Sequence, residues 1–303
     1  MKDFSVGLRF ILFIICVLTP TTLSVGCSSA FAGPRSSGLR YNQVQWKASH
    51  NSYAQKADMM TQLRDWKIRS IEFDLHASKR KLWRREAAPA GDFLVYHAAR
   101  DDFSNCRLLS ECFEAVATFH REQPDHEVLT IFFDMQGVGE EGHTKDDLYS
   151  LMRKKFPDGG IFTPGDLLSG CPGAQNLQEA VTKAGCGWPL LDDLAGKIIL
   201  VVSDGRDDIK AAGYDLQKDL LFLVAKGHDP KSLHADPALV FFNMAGPNPF
   251  LTEVKKAGFV SRSYWLNDKD SYLKAKSLGA NHLATDRIDP KLDPWATIEE
   301  QRH

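Results

Sequence analysis

The sequence predicts an α/β protein: a single-domain (β/α)8 barrel of the TIM type, not necessarily a regular one. Three observations predict it. Short apolar or β-branched runs alternate with longer amphipathic stretches; eight such runs fall within roughly 270 residues; and the residues able to do chemistry gather at the C-terminal ends of those runs, where such barrels build their sites. A doubly wound sheet is the alternative, but the Gly-rich phosphate-binding turn of its nucleotide-binding members is missing.

In chain order, Val44–Ala48 leads into the pair His50-Asn51. Ile68–Asp74 alternates with period two, which points Glu72 and Asp74 to the same side. Phe93–Tyr96 runs into His97, and the apolar Val128–Phe133 is stopped by Asp134. Lys197–Val202, the fifth run, is followed by Asp204 and Arg206, and Leu239–Phe242 by Asn243. Phe259–Tyr264 precedes Trp265, and His282–Thr285 precedes Asp286-Arg287. Between them, Ser110–Glu122, Thr144–Lys155 and Ser271–Leu278 carry apolar residues three and four apart, the mark of helices with one buried face.

The 303 residues suffice for one large domain or two small ones; without an internal repeat or a low-complexity linker, one is expected, over residues 33–303. A composition of 43% hydrophobic and 25% charged residues argues against disorder. A formal net charge of -2 gives no global attraction to nucleic acid, and none is expected as a partner; the chain is expected to be a monomer. Residues 1–32 read as an export signal: Lys2 and Arg9 precede an apolar run from Phe10 to Leu18, and Ala30-Phe31-Ala32 offers a cleavage pattern. Lipid attachment at Cys27 competes, although Ser24 stands where an aliphatic residue is usual. The expected destination is therefore outside the cell or the periplasm. Cys106, Cys112, Cys171 and Cys186 then remain, and their short separations favour the disulfides Cys106–Cys112 and Cys171–Cys186.

The strand ends offer two histidines, three carboxylates and one amide. Carboxylate and amide oxygens suit a hard cation such as calcium better than zinc, and imidazoles titrate where a base and an acid are needed. Each piece alone has a plainer reading: a solvated strand end for Glu72 and Asp74, a helix cap for Asp134.

Together, "ASHNSY", "IEFDLHA", "LVYHA" followed by "SNCRLLSECF", "LTIFFD" and "GANHLATDRID" resemble the calcium-dependent, phosphoinositide-specific phospholipase C-like family, over residues 41 to 290. The resemblance implies catalytic roles for His50 and His97, with Ca2+ on Asn51, Glu72, Asp74 and Asp134. Larger eukaryotic relatives usually have Glu at the last place, so Asp134 is a departure. The implied reaction is attack of the inositol 2-hydroxyl on phosphorus, with loss of diacylglycerol and formation of a cyclic inositol phosphate. Another phosphodiester, such as a glycerophosphodiester or a sphingophospholipid, is an alternative substrate, and a non-catalytic barrel an alternative function. Asp204, Arg206, Asn243, Trp265 and Arg287 are weaker candidates for substrate contacts, and His76 is expected to support the site from behind. Finally, residues 79–85 hold five cations and Trp83, a composition suited to a phosphoinositide-bearing membrane surface.

Overall fold

The computed structural model describes residues 38–297 apart from 82–83, 99, 137, 140–141, 158 and 226–228, and it leaves the side chains of 80, 81, 84 and 85 undescribed. The expected export signal and Cys27 lie outside the described residues.

Eight parallel strands close into a barrel: β1 (Trp46–Ser49), β2 (Ser70–His76), β3 (Leu129–Gln136), β4 (Ile198–Asp204), β5 (Leu221–Ala225), β6 (Phe241–Ala245), β7 (Val260–Tyr264) and β8 (His282–Thr285). β1 pairs with both β8 and β2, which seals the ring. The fold class is the expected one, but its membership differs in one strand. The Phe93–Tyr96 run forms only the short strand Leu94–Val95, antiparallel to the end of β2 and outside the ring. The missing barrel strand is Leu221–Ala225, whose five residues are all buried apolar groups. Such a run shows no period and does not announce itself as strand or helix. Asp134 therefore lies two residues before the end of the third barrel strand, Asp204 ends the fourth, and Asn243 lies within the sixth.

Helices cover the outer faces of β2 and β3. Leu109–Glu122 buries Leu109, Cys112, Phe113, Val116, Ala117 and Phe119, one stripe at helical spacing. Phe113 packs edge-on against Phe73 of β2 and Phe133 of β3, with ring centroids 6.3 and 6.1 Å apart. Truncating so buried a ring costs about 3–5 kcal/mol. Thr144 and Asp147 form a reciprocal cap on Lys145–Lys155, and Asp268 accepts from the Ser271 N–H to start Lys269–Leu278. Two disulfides, Cys106–Cys112 and Cys171–Cys186, staple loops to this shell.

Inside the ring, polar groups are layered. At the N-terminal end the Tyr41 hydroxyl meets Thr130 Oγ1 at 2.7 Å and His282 Nε2 at 3.0 Å. Above them Phe132 packs against His282, and the Arg262 guanidinium lies 5.1 Å from the Phe132 ring centre. Glu72, Asp74 and Asp134 follow toward the C-terminal mouth. A bulge shapes that mouth: Phe133 pairs with Val202 but Asp134 with Asp204, so one residue of β4 is extra and two aspartates come opposite each other. Gly205 makes this feasible, with φ of 80° and a position where a Cβ would lie 2.6 Å from the Met135 carbonyl oxygen.

Candidate active site

The His50-Asn51 turn begins the site. Asn51 adopts a left-handed conformation (φ 46°, ψ 60°), which asparagine tolerates better than most residues. The turn aims the Asn51 N–H at Glu72 Oε2 (3.0 Å) and lets Asn51 Oδ1 accept from the Tyr53 hydroxyl (3.3 Å). His50 donates from Nδ1 to Asp286 Oδ1 at 2.9 Å, and its ring lies nearly parallel to Tyr264, 6.0 Å between centroids. Asp286 also accepts from Asn267 Nδ2 at 2.5 Å and Gln55 Nε2 at 3.4 Å. Burial alone would raise its pKa, but these donors, His50 foremost, hold it below the usual carboxylate range. With the proton on Nδ1 so engaged, the His50 Nε2 is left with its lone pair.

Across the mouth His97 donates from Nδ1 to Asp74 Oδ2 at 3.1 Å. Burial works against the His97 cation, but the hydrogen bond and charge of Asp74 outweigh it, so the His97 pKa stands above its ordinary value. Asp74 is pushed up to about 7 by burial first, then by Glu72 and Asp134, against the pull of Tyr53 and His97. The bond joins an imidazole that holds its proton more tightly than usual to a carboxyl that burial also makes slow to ionise. Asp134 is raised to about 6 by burial, Asp204 and Glu72.

Asp74 Oδ1 and Asp134 Oδ1 are buried without a hydrogen-bond partner. Orphaned carboxylate oxygens have the donor chemistry of a hard cation. The spacing is looser than the chemistry: among the described residues no group of three or more His, Cys, Asp or Glu is drawn together closely enough to hold a metal ion. Glu72 is instead paired with Arg262, whose Nη2 donates to Oε2 at 2.5 Å.

Arg262 is the residue that sequence reasoning missed. It is 2% exposed, donates from Nη1 to Asn243 Oδ1 at 3.1 Å, and lies over the rings of Phe132 and Tyr264. A signal existed: alternation in Val260-Ser-Arg-Ser-Tyr264 puts Arg262 on the same face as Tyr264.

Of the weaker candidates, Asn243 supports Arg262. Arg206 is committed to the Val224 carbonyl (3.0 Å) and Asp207 (3.4 Å). Asp204 is exposed at the bulge, where it accepts from the Gly205 N–H. Arg287 is exposed, and its guanidinium has no ion pair among the described residues. Trp265 stands 60% exposed on the rim, edge-on to Tyr264.

No protein-family model matches the chain, and no curated protein matches it either. Solved structures do. A calcium-dependent phosphoinositol-specific phospholipase C from Pseudomonas sp is 22% identical with a TM-score of 0.71, covering 84% of this chain and 93% of that one. Its myoinositol complex gives 22% and 0.68, over 82% and 91%. A calcium-dependent phosphatidylinositol-specific phospholipase C from Streptomyces antibioticus gives 19% and 0.63, over 86% and 98%. At such identities the likeness is one of fold, and this chain has the barrel of those enzymes along nearly the whole of their length.

Proposed function

We propose that the protein is a calcium-dependent phosphodiesterase that cleaves phosphatidylinositol-type lipids to diacylglycerol and a cyclic inositol phosphate. The observation that carries this reading is a pair of imidazoles at one barrel mouth, each tied through Nδ1 to its own carboxylate, beside buried carboxylate oxygens that lack partners. The barrel shared with calcium-dependent phospholipases C adds support.

His50 Nε2 takes the proton of the inositol 2-hydroxyl as that oxygen bonds to phosphorus. The bond from phosphorus to the glycerol oxygen breaks, and His97 protonates the departing alkoxide. For hydrolysis of the cyclic product the roles reverse, with His97 accepting a proton from water. Asn51, Glu72, Asp74 and Asp134 would hold calcium, which when bound supplies positive charge to the phosphoryl oxygens and the attacking hydroxyl. Arg262 balances Glu72 meanwhile, so the acidic cluster is not left with its full charge.

Phe103, 58% exposed in the segment after His97, and Trp265 flank the mouth and suit a lipid interface, where amphipathic and aromatic tips are favoured. The two disulfides fit an oxidising compartment, in keeping with export by residues 1–32. Phosphorus NMR of phosphatidylinositol turnover, with and without chelator, tests the reading. A cyclic phosphodiester signal that vanishes with chelator is expected; a linear product from the start, or turnover indifferent to chelator, refutes it.

A further inference from the structure

His97 does not sit on a barrel strand. It follows a two-residue antiparallel appendage, yet an acid displaced by about 1 Å loses on the order of 10²-fold in rate. Something must hold it, and the contacts lead to His76, the last residue of β2 and 7% exposed.

His76 grips the residue before His97 in two ways. Its Nε2 lies 2.8 Å from the Tyr96 carbonyl oxygen, and its ring stacks on the Tyr96 ring with centroids 3.8 Å apart and planes 16° apart. A carbonyl only accepts, so Nε2 carries the hydrogen and is fully used by this bond. The same strand end takes hold again: the Tyr96 hydroxyl donates to the Ser78 carbonyl at 3.0 Å, and His76 pairs with Leu94 in the antiparallel register. Two residues upstream of His76, Asp74 accepts from the His97 ring. β2 thus holds His97 from its backbone side through His76 and from its ring through Asp74. The bond to Asp74 orients the ring, whereas the hold on Tyr96 fixes the backbone from which that ring projects.

We propose that His76 is a positioning residue that sets His97 for proton donation to the leaving group. This rests on the reading of His97 as the acid given above. It predicts a dependence on leaving group that loss of stability alone does not produce. A diacylglycerol alkoxide needs the proton, whereas p-nitrophenolate leaves without it.

The test compares His76→Phe, which keeps the stack and loses the donor, with His76→Gln, whose amide N–H reaches toward the same carbonyl. Both are assayed as folded full-length protein on short-chain phosphatidylinositol and on a p-nitrophenyl inositol phosphodiester. For His76→Phe, kcat on the lipid should fall about 10–100-fold while the p-nitrophenyl substrate stays within a few-fold, and His76→Gln should regain most of the loss. The His97 ring resonances in proton–carbon NMR should shift and broaden in His76→Phe. Equal losses on both substrates, a Gln variant no better than Phe, or an unmoved His97 resonance overturns the proposal. If His97→Ala itself hits both substrates alike, it is the acid reading that fails, and the NMR comparison still decides whether His76 positions the ring.

Discussion

His50 and Asp286, 236 residues apart in sequence, meet at 2.9 Å between Nδ1 and Oδ1. Because β1 and β8 are the strands that close the barrel, the turn after one faces the loop after the other. Closure of the ring builds the dyad. Asp286 fixes the tautomer of His50, and Asn267 and Gln55 fix Asp286.

Asp286→Asn keeps shape but turns an acceptor into a group able to donate to Nδ1, which favours the wrong tautomer. We expect kcat to fall by at least about 10²-fold with KM little changed, read by steady-state kinetics on a short-chain substrate. A variant within a few-fold of wild type would mean that Asp286 does not set the base.

Asp134 gives a second test. Its unpaired oxygen is buried inside β3 with Asp204 opposite, which is no place for a helix cap. Asp134→Asn should therefore weaken calcium binding in a calorimetric titration while leaving the cation-free protein as stable or more so, since a repulsive charge is removed. Unchanged calcium affinity removes Asp134 from the set.

The raised carboxyl pKa values, about 7 for Asp74 and about 6 for Asp134, would make a cation bound there a pH-dependent stabiliser. Folded values above unfolded ones mean that the cation-free protein has their contribution in full below about pH 4 and loses it as pH rises through 6 and 7. Calcium needs the deprotonated forms. The rise in Tm on adding calcium should accordingly be small at pH 5 and large at pH 8, by differential scanning calorimetry. Equal rises at both would rule out these two carboxylates as the linked groups.

The sequence made most of this legible for one reason: polar residues interrupt apolar strands only at a cost, so Glu72, Asp74 and Asp134 stand out where they end a run. Leu221–Ala225 contains no such interruption, whereas the Phe93–Tyr96 run leads into His97 just as a barrel strand would, so local pattern favours the wrong one of the two. Strand pairing is a long-range choice that local pattern does not encode. Arg262 was hidden by its position in mid-strand, where a charge reads as a solvated face until the ring closes around it. The pairing of His50 with Asp286 rather than with a nearer acid was equally out of reach.

Two buried histidines should weaken the fold in acid. Burial chiefly lowers His282 to about 3 and His126 to about 4. Folded values lie below unfolded ones, so their contribution is complete above about pH 6.5 and is lost as pH falls toward 4, at most about 3–5 kcal/mol each. Urea unfolding at pH 7 and pH 4.5 should show a smaller acid loss in His282→Gln than in wild type. Because both proteins share the carboxylates, the difference isolates the imidazole; identical losses would mean that His282 does not control acid unfolding.

The cationic hairpin offers the last prediction. Ser78–Lys81 and Arg84–Ala87 pair as a two-stranded ribbon that grows from the C-terminal end of β2, next to the strand that leads to His97. Lys79 does not serve a membrane: its side chain is 7% exposed, pairs with Asp102 and lies over the Tyr96 ring. Glu86 is engaged by Arg107 at 2.7 Å. The register sets Arg80 against Arg85 and Lys81 against Arg84. An anionic surface would attract the four cations of Arg80, Lys81, Arg84 and Arg85 by roughly 1 kcal/mol each. Replacing Arg80, Lys81, Arg84 and Arg85 with Ser, with Lys79 left in place, should lower binding to phosphatidylinositol vesicles by up to about 10²–10³-fold at low salt. The effect should shrink as salt screens the charges, and turnover of a short-chain soluble substrate should be spared. Equal losses on vesicles and on the soluble substrate would show instead that the hairpin shapes the pocket through Tyr96 and His97.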